Sequence, residues 1–182
     1  MKKIFFQKTR IFFKFYFFIF FLFFCFNGVS QEINYKSQSL YLYIFSKNIY
    51  WPNDNLKEKF VIGVYGNSPI FEELEIMASI KKAANGKKII IKQFFSFNEI
   101  KNVDILYISS SKSRDLKKIL NILKKKPILI VAERDGLAKK GASINFIIME
   151  DDTLKFEVNR SVMKKLKLEI SDGLLKHGFE VG

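Results

Sequence analysis

The chain has 182 residues and carries 31 Lys and Arg against 18 Asp and Glu, a net charge of +13. Its 48% hydrophobic and 27% charged residues suit one compact domain and exclude a wholly disordered chain. The only cysteine, Cys25, lies within the first 30 residues. Disulfides, thiolate catalysis and cysteine-ligated metals are therefore excluded from the remainder.

The first 30 residues have the composition of an export signal. They hold 12 of the 21 Phe, five basic residues and no carboxylate. As a helix at ~1.5 Å per residue, the apolar stretch 15–26 reaches about 18 Å, short of the roughly 30 Å hydrocarbon layer. Small residues precede Gln31, so we predict a Sec-type signal peptide over 1–30 and a periplasmic domain over 31–182. An uncleaved inner-membrane anchor starting at Ile11 is the alternative.

Residues 38–51 are predicted to form a helix that ends at Pro52. The segment carries two apolar stripes at helical spacing, with Leu40, Tyr43, Ile44 and Trp51 on one and Tyr41, Phe45 and Ile49 on the other. Such a helix is either sandwiched inside the fold or offers one stripe to a partner. If it meets a partner, we expect the contact residues to be Tyr41, Phe45 and Ile49, with Trp51 at their end.

Beyond Pro52, predicted strands and helices alternate. The predicted strands are residues 60–65, 88–94, 104–108, 127–131, 143–149 and 154–158, and the last two form a hairpin. The predicted helical segments are 69–80, 97–101, 113–125 and 160–177. Ser68 is predicted to be the N-cap of the first of these, with Pro69 at its first position. This order predicts an α/β three-layer sandwich, with a mostly parallel sheet flanked by helices and a C-terminal antiparallel hairpin.

The side-chain inventory does not support an enzyme. His177 is the only histidine, and nothing nominates an acid and a nucleophile to join it. We expect no metal and no cofactor, because the histidines and cysteines of zinc and iron sites are missing. Open α/β sheets do bind ligands beyond the carboxyl ends of their strands. A small-ligand module is therefore the alternative function, with Gly66, Asn67, Ser68, Ser109, Ser110 and Ser111 as its weak candidate residues.

Lysine clusters account for much of the positive charge. They comprise Lys117, Lys118, Lys124, Lys125 and Lys126, with Lys139 and Lys140. In an exported protein such clusters would meet an anionic membrane surface or an acidic partner, and we expect no nucleic-acid binding. A merely solvated face is the simpler explanation.

Seven segments in one order resemble the YfiR-like family of exported bacterial proteins. They are residues 40–52, 60–66 with Pro69, 85–87, 104–109, 141–146, 154–159 and 168–175. The similarity covers about 38–178, essentially the whole predicted mature chain.

The resemblance implies a regulatory role without catalysis. The family's best-known member is a periplasmic repressor that binds the periplasmic sensor part of an inner-membrane diguanylate cyclase. It thereby lowers cyclic-di-GMP synthesis, exopolysaccharide production and biofilm formation, and other members resemble partners of membrane sensor kinases. The partner implied here is thus the extracytoplasmic domain of a membrane signalling protein, and a homodimer is left open. The family's redox-sensitive disulfides have no counterpart, because no cysteine follows Cys25 and Val103 stands where many members have one.

Overall fold

The computed structural model describes residues 34–52, 57–124 and 126–182, and Asn34–Gly182 forms one compact unit. The predicted signal segment 1–30 and Lys125 lie outside the described residues. The helices are α1 (Tyr35–Asn48), α2 (Ile70–Ile80), α3 (Leu116–Ile122), α4 (Arg160–Lys165) and α5 (Asp172–Leu175). Short 3-10 turns cover Ala84–Gly86, Phe97–Glu99, Ser110–Asp115 and Ala138–Lys140.

Nine strands are described, and seven of them build one central sheet. They are β1 (Ile49–Tyr50), β2 (Lys59–Tyr65), β3 (Lys88–Phe94), β4 (Ile105–Ile108), β5 (Leu129–Ala132), β6 (Ile144–Ile148), β7 (Leu154–Val158), β8 (Glu169–Ile170) and β9 (Phe179–Glu180). The sheet has the order β3-β2-β4-β5-β6-β7-β9, with parallel pairing from β3 to β6. β6 and β7 form the predicted antiparallel hairpin. The α/β fold class is confirmed.

Hydrophobic side chains fill both faces of this sheet. On one face, α1 and α2 cover β-strand residues such as Ile62, Ile105 and Phe146. On the other, Leu116 and Ile119 of α3 pack in a second cluster with residues of β4 and β5. Strands of a parallel sheet are buried on both faces, which explains their near-continuous apolar sequence. The helices α1 and α2 on one face and α3 on the other therefore form the outer layers of a sandwich.

Three local predictions are wrong. The first helix begins and ends three residues before its predicted bounds, because Ile49 and Tyr50 pair with β8 in a separate two-stranded sheet. The N-cap of α2 is Pro69, while Ser68 precedes it and contributes its backbone carbonyl to Phe71. The terminal region 160–177 is not continuously helical, because β8 interrupts it where Lys167 has a φ of 57°.

Two asparagines tie the loop before β6 to the sheet. Asn145 is fully buried, and its Oδ1 accepts a hydrogen bond from the backbone N–H of Ala138 at 2.7 Å. Asn159 donates from its Nδ2 to the carbonyl of the same Ala138 at 2.9 Å. Both backbone groups of one buried residue are thereby paired with side chains from neighbouring strand ends. Asn159 also caps α4 by accepting from the N–H of Val162 at 3.0 Å.

Candidate functional site

The strand order places a topological switch point between β2 and β4. The chain passes from β2 to β3 on one side of it and then to β4 on the other. Since β2 and β4 are parallel, their carboxyl ends meet at Tyr65 and Ile108. A crevice beyond such a pair of strand ends is the usual ligand position in open α/β sheets. The two predicted ligand segments begin there.

The structure brings these two segments together. Ser109 donates its backbone N–H to the carbonyl of Tyr65 at 3.1 Å, and the Ser109 and Ser111 hydroxyls lie 3.1 Å apart. Gly66 has a φ of 97° and faces Ser109 so closely that a β-carbon there would clash with its hydroxyl. Glycine is required at this position both by the backbone conformation and by the contact.

Side chains of the protein itself occupy the crevice. The Glu133 carboxylate accepts hydrogen bonds from the Tyr35 hydroxyl at 3.0 Å and from the Ser110 N–H at 2.7 Å. The Tyr107 hydroxyl donates to Gln38 of α1 at 2.7 Å. Ser68 and Ser109 are buried as well. The start of α1 therefore closes the switch point with an internally satisfied polar cluster.

Of the predicted ligand residues, only three remain at the surface. Asn67, Ser110 and Ser111 are exposed, whereas Gly66, Ser68 and Ser109 are buried. Sequence reasoning did not identify Tyr35, Gln38 and Tyr107 as parts of this cluster. For Glu133 a signal exists, since it follows the buried strand β5 directly. For the other three no local pattern distinguishes them from core or helix-surface residues.

Burial is the main cause of the raised pKa values of the tyrosines at this edge of the sheet. It raises the pKa of the Tyr107 hydroxyl well above 10, and the negative charge of Glu133 raises it further. Burial also raises the pKa of Tyr35, again with help from Glu133. The pKa of Tyr65 is raised to about 12 by burial and by its hydrogen bond to Asp115. The cluster is built from neutral tyrosines that donate to carboxylate and amide oxygens.

Comparison with known families gives one match, which covers more than half of the chain. The YfiR/HmsC-like family model matches residues 35–178, from the start of α1 to just before β9. The chain belongs to the YfiR/HmsC-like family. The resemblance drawn from the seven sequence segments is thereby confirmed.

The other comparisons concern the fold. No curated protein matches the chain. Among solved structures, the ABC domain from Streptococcus pneumonia in complex with L-Trp is similar, with a TM-score of 0.54 and 13% identity. The alignment covers 81% of this chain and 60% of that one, so this chain spans less than two thirds of its length. At such low identity the likeness shows a shared α/β fold alone.

In this YfiR/HmsC-like domain, the stripe predicted to face a partner belongs to the core. Phe45, Ile49 and Trp51 are at most 7% exposed. Phe45 stacks against Phe146 of β6, and the Trp51 indole N–H donates to the carbonyl of Asp104 at 3.3 Å. The expected exposure of these three side chains is therefore wrong, because α1 lays Phe45 on the sheet, Trp51 packs against Phe60 of β2, and Ile49 is buried within β1. That these three residues take part in partner binding stays a prediction. Because their side chains are buried, they would act by holding the surface in place and not by direct contact.

Tyr41 and the residues of the other predicted stripe that lie on α1 are more exposed than Phe45, Ile49 and Trp51. Tyr41 is only partly buried, and its hydroxyl donates to the carbonyl of Leu154 at 3.2 Å. Leu40, on the other predicted stripe, is 51% exposed, and Tyr43 and Ile44 beside it are half-buried, with part of each packed against the core. The outward surface of α1 is thus apolar at its centre, and Lys36 and Lys47 lie exposed near its two ends. We call Leu40, Tyr43 and Ile44 the α1 outer stripe.

No cluster of three or more metal-ligating side chains occurs within residues 34–52, 57–124 and 126–182 of this family member. Over the same ranges, no helix has the length and apolar character needed to cross a bilayer.

The YfiR/HmsC-like domain should lose stability in alkali between pH 10 and 12. Unfolded tyrosines lose their protons at a pKa of about 10, whereas folded Tyr65 keeps its proton to about 12. A raised folded-state pKa gives stabilisation that is complete below pH 10 and lost as the pH rises through the folded value. Urea titrations at increasing pH measure the decline. Tyr65→Phe should make the decline in stability with pH shallower, whereas Tyr50→Phe, at an exposed position, should not. Equal slopes in the wild-type chain and the two variants would contradict the assignment of this decline to Tyr65.

Proposed function

We propose that this chain is an exported, non-enzymatic regulator that binds the extracytoplasmic domain of an inner-membrane signalling enzyme. The partner is a diguanylate cyclase or a sensor kinase, and binding changes its activity. The observation that carries this proposal is the family match over residues 35–178. The signal-like composition of residues 1–30 supports export to the periplasm. With a cyclase as partner, the output is cyclic-di-GMP and, through it, biofilm formation.

The mechanism is differential binding. A regulator that binds one conformation of its partner more tightly shifts the partner's equilibrium by the ratio of the two affinities. No chemical step on the regulator is needed. The family's redox switch does not transfer, because no cysteine follows Cys25. The proposed input is therefore the amount of free regulator, and not the oxidation state of the chain.

The α1 outer stripe is the proposed contact surface. Leu40 is 51% exposed and Tyr50, two residues after α1, is 59% exposed. Exposed aromatic and aliphatic side chains on a rigid helix make good interface anchors. Lys36 and Lys47 flank the stripe, so an acidic rim on the partner fits best. The half-buried Tyr41 and the buried Phe45, Ile49 and Trp51 pack into the core and hold the helix in place.

The test is crosslinking in intact envelopes, followed by affinity capture of the tagged full chain and mass spectrometry. We expect recovery of a membrane protein with a cyclase or kinase domain. Leu40→Glu places a charge in the outer stripe and should abolish recovery. Ile122→Glu makes the same change at a side chain that is 42% exposed on α3, over the other face of the sheet, and it serves as the matched control.

The outcomes distinguish a failure of the proposed regulatory function from a failure of the proposed contact surface. Failure of the wild-type chain to capture a signalling protein, with the domain folded, would contradict the regulator proposal. Capture that is equally strong with Leu40→Glu would leave the regulator standing and would remove the α1 outer stripe as its contact surface. Thermal unfolding of both variants establishes that they remain folded.

A small-ligand-binding module is the second candidate function. It is favoured by the convergence of Gly66 and Ser109–Ser111 at the switch point. The internal hydrogen bonds of Tyr35 and Gln38 weigh against it, since they fill the crevice. A thermal-shift screen with small metabolites and anions tests it, because a ligand of the native state raises the melting temperature. A response that disappears in Ser110→Pro and persists in Leu40→Glu would favour the ligand module.

A further inference from the structure

A groove lined by apolar side chains and lysines lies between the end of α3, the start of β5 and α4. It has a volume of about 200 Å³. Its apolar lining consists of Leu120, Leu123, Ile128, Ile130, Val162 and Leu166. Lys124, Lys126, Lys165 and Gly141 complete the lining, and no carboxylate is among the lining residues. We call this the lysine groove.

Two lysines of the predicted clusters, Lys118 and Lys139, are paired with carboxylates, whereas within the described residues the groove lysines, like Lys117 and Lys140, are not. Lys118 lies 3.5 Å from the Asp115 carboxylate, and Lys139 lies 3.7 Å from that of Glu157. In the described part of the chain, the ammonium groups of Lys124, Lys126 and Lys165 have no such carboxylate partner. Their charges therefore face solvent without internal compensation. An anion with an apolar portion fits this combination of charge and groove.

The positive surface continues on another face of α4. A second groove of about 610 Å³ is lined there by Arg160, Lys164 and Lys167 together with Met163 and Leu168. Glu169 is the one carboxylate among its lining residues. Arg160 lies 3.5 Å from the Glu180 carboxylate, so the positive charge that extends over both grooves flanking this short helix comes chiefly from lysines. Such an area exceeds what a single small anion needs, and it suits an extended anionic surface.

We propose that the lysine groove docks an anionic phospholipid of a membrane surface. The lipid phosphate is held by the three ammonium groups, and the adjoining part of an acyl chain lies on the apolar floor. Lysine, with its compact charge on a flexible apolar stem, suits a phosphate at such an interface. The groove is smaller than the roughly 300 Å³ of an ordinary metabolite site, so it takes part of a lipid and not a whole small molecule. This proposal is independent of the signalling partner.

The test is co-sedimentation of the exported chain, purified in the form that cells accumulate, with vesicles. We expect binding to equal parts of phosphatidylglycerol and phosphatidylcholine, little binding to phosphatidylcholine alone, and a loss of affinity in high salt. Each lysine near an anionic surface contributes about fivefold in affinity. The triple variant Lys124→Gln, Lys126→Gln and Lys165→Gln should therefore bind roughly a hundredfold more weakly.

A charge-matched control distinguishes an effect of the net charge of the chain from an effect of where the lysines lie. Lys82→Gln, Lys88→Gln and Lys92→Gln remove the same charge from exposed positions at the β3 edge, away from the lysine groove. This control should lose much less affinity than the groove variant. Equal losses in the two triple variants would overturn the proposal, because they would show attraction by net charge without a docking site.

Two further arms test the lipid itself. Val162→Trp fills the groove and should weaken vesicle binding. If this variant does not fold, Val162→Asn is used instead. It makes the floor of the groove polar and should also weaken vesicle binding. Unchanged binding in a folded variant would overturn the role of the apolar floor. Competition by inorganic phosphate at the lipid concentration would assign the site to a free anion. Binding of polyglutamate without binding of anionic vesicles would assign it to an acidic protein. Either result contradicts the lipid proposal.

Discussion

Phe45→Ala should lower the free energy of unfolding by about 3–5 kcal/mol, the usual cost of removing a buried phenyl ring. Phe45 is fully buried, and its ring lies 5.2 Å from that of Phe156 and 6.2 Å from that of Phe146, centroid to centroid. Its removal leaves a cavity between α1 and the sheet that these rings cannot close. Urea unfolding monitored by circular dichroism measures the loss.

Leu40→Ala is the control on the same helix. Leu40 is 51% exposed, and a substitution there should change the free energy of unfolding by no more than about 0.5 kcal/mol. The pair separates a core residue from a surface residue five positions earlier. If Phe45→Ala kept wild-type stability and lost the signalling partner instead, Phe45 would be a direct contact as the sequence interpretation expected.

Asn145→Ala should cost about 2–3 kcal/mol in the free energy of unfolding. The substitution leaves the N–H of Ala138 without its acceptor in a site where both residues are fully buried. An unsatisfied buried donor costs about 1–3 kcal/mol, and the lost side-chain volume adds to it. Equilibrium denaturation of the variant and of the wild-type chain measures the difference.

Two comparisons sharpen this prediction. Asn159→Ala should also destabilise, because it removes one of the two donors to the carbonyl of Ala138, leaving only the N–H of Gly141, and it removes the cap of α4. The double variant should lose less than the sum of the two, since both side chains hold one backbone residue. Asn121→Ala changes an exposed asparagine on α3 and should have little effect. Strict additivity of the first two would contradict a shared anchoring role.

Much of the secondary structure follows from local pattern. Apolar runs bounded by turn residues gave β2, β3 and β7 within one residue of their observed bounds. The alternation of strands with helices predicted the parallel sheet, and the acidic turn 150–153 predicted the hairpin. These features depend on short-range spacing, which a single sequence displays directly. The prediction of export rests on composition alone, and it stays a prediction.

The candidate sites depended on contacts between distant residues. Gly66 and Ser109 could be expected to meet, because parallel strands bring their carboxyl ends to one edge. That Tyr35 and Gln38 would fill the crevice could not be expected, since their partners Glu133 and Tyr107 lie far along the chain. The lysine groove likewise joins the end of α3 to α4.

The amphipathic first helix shows most clearly which features the sequence determines and which depend on the tertiary structure. The sequence alone predicted a helix over residues 38–51 with two apolar stripes, ended by Pro52, and a helix is observed over Tyr35–Asn48. Which stripe is buried depended on the sheet beneath it, and Phe45 fits between Phe146 and Phe156 where Leu40 does not. Helical periodicity specifies which residues share a face, whereas the facing partner is chosen by packing between segments about 100 residues apart in the chain.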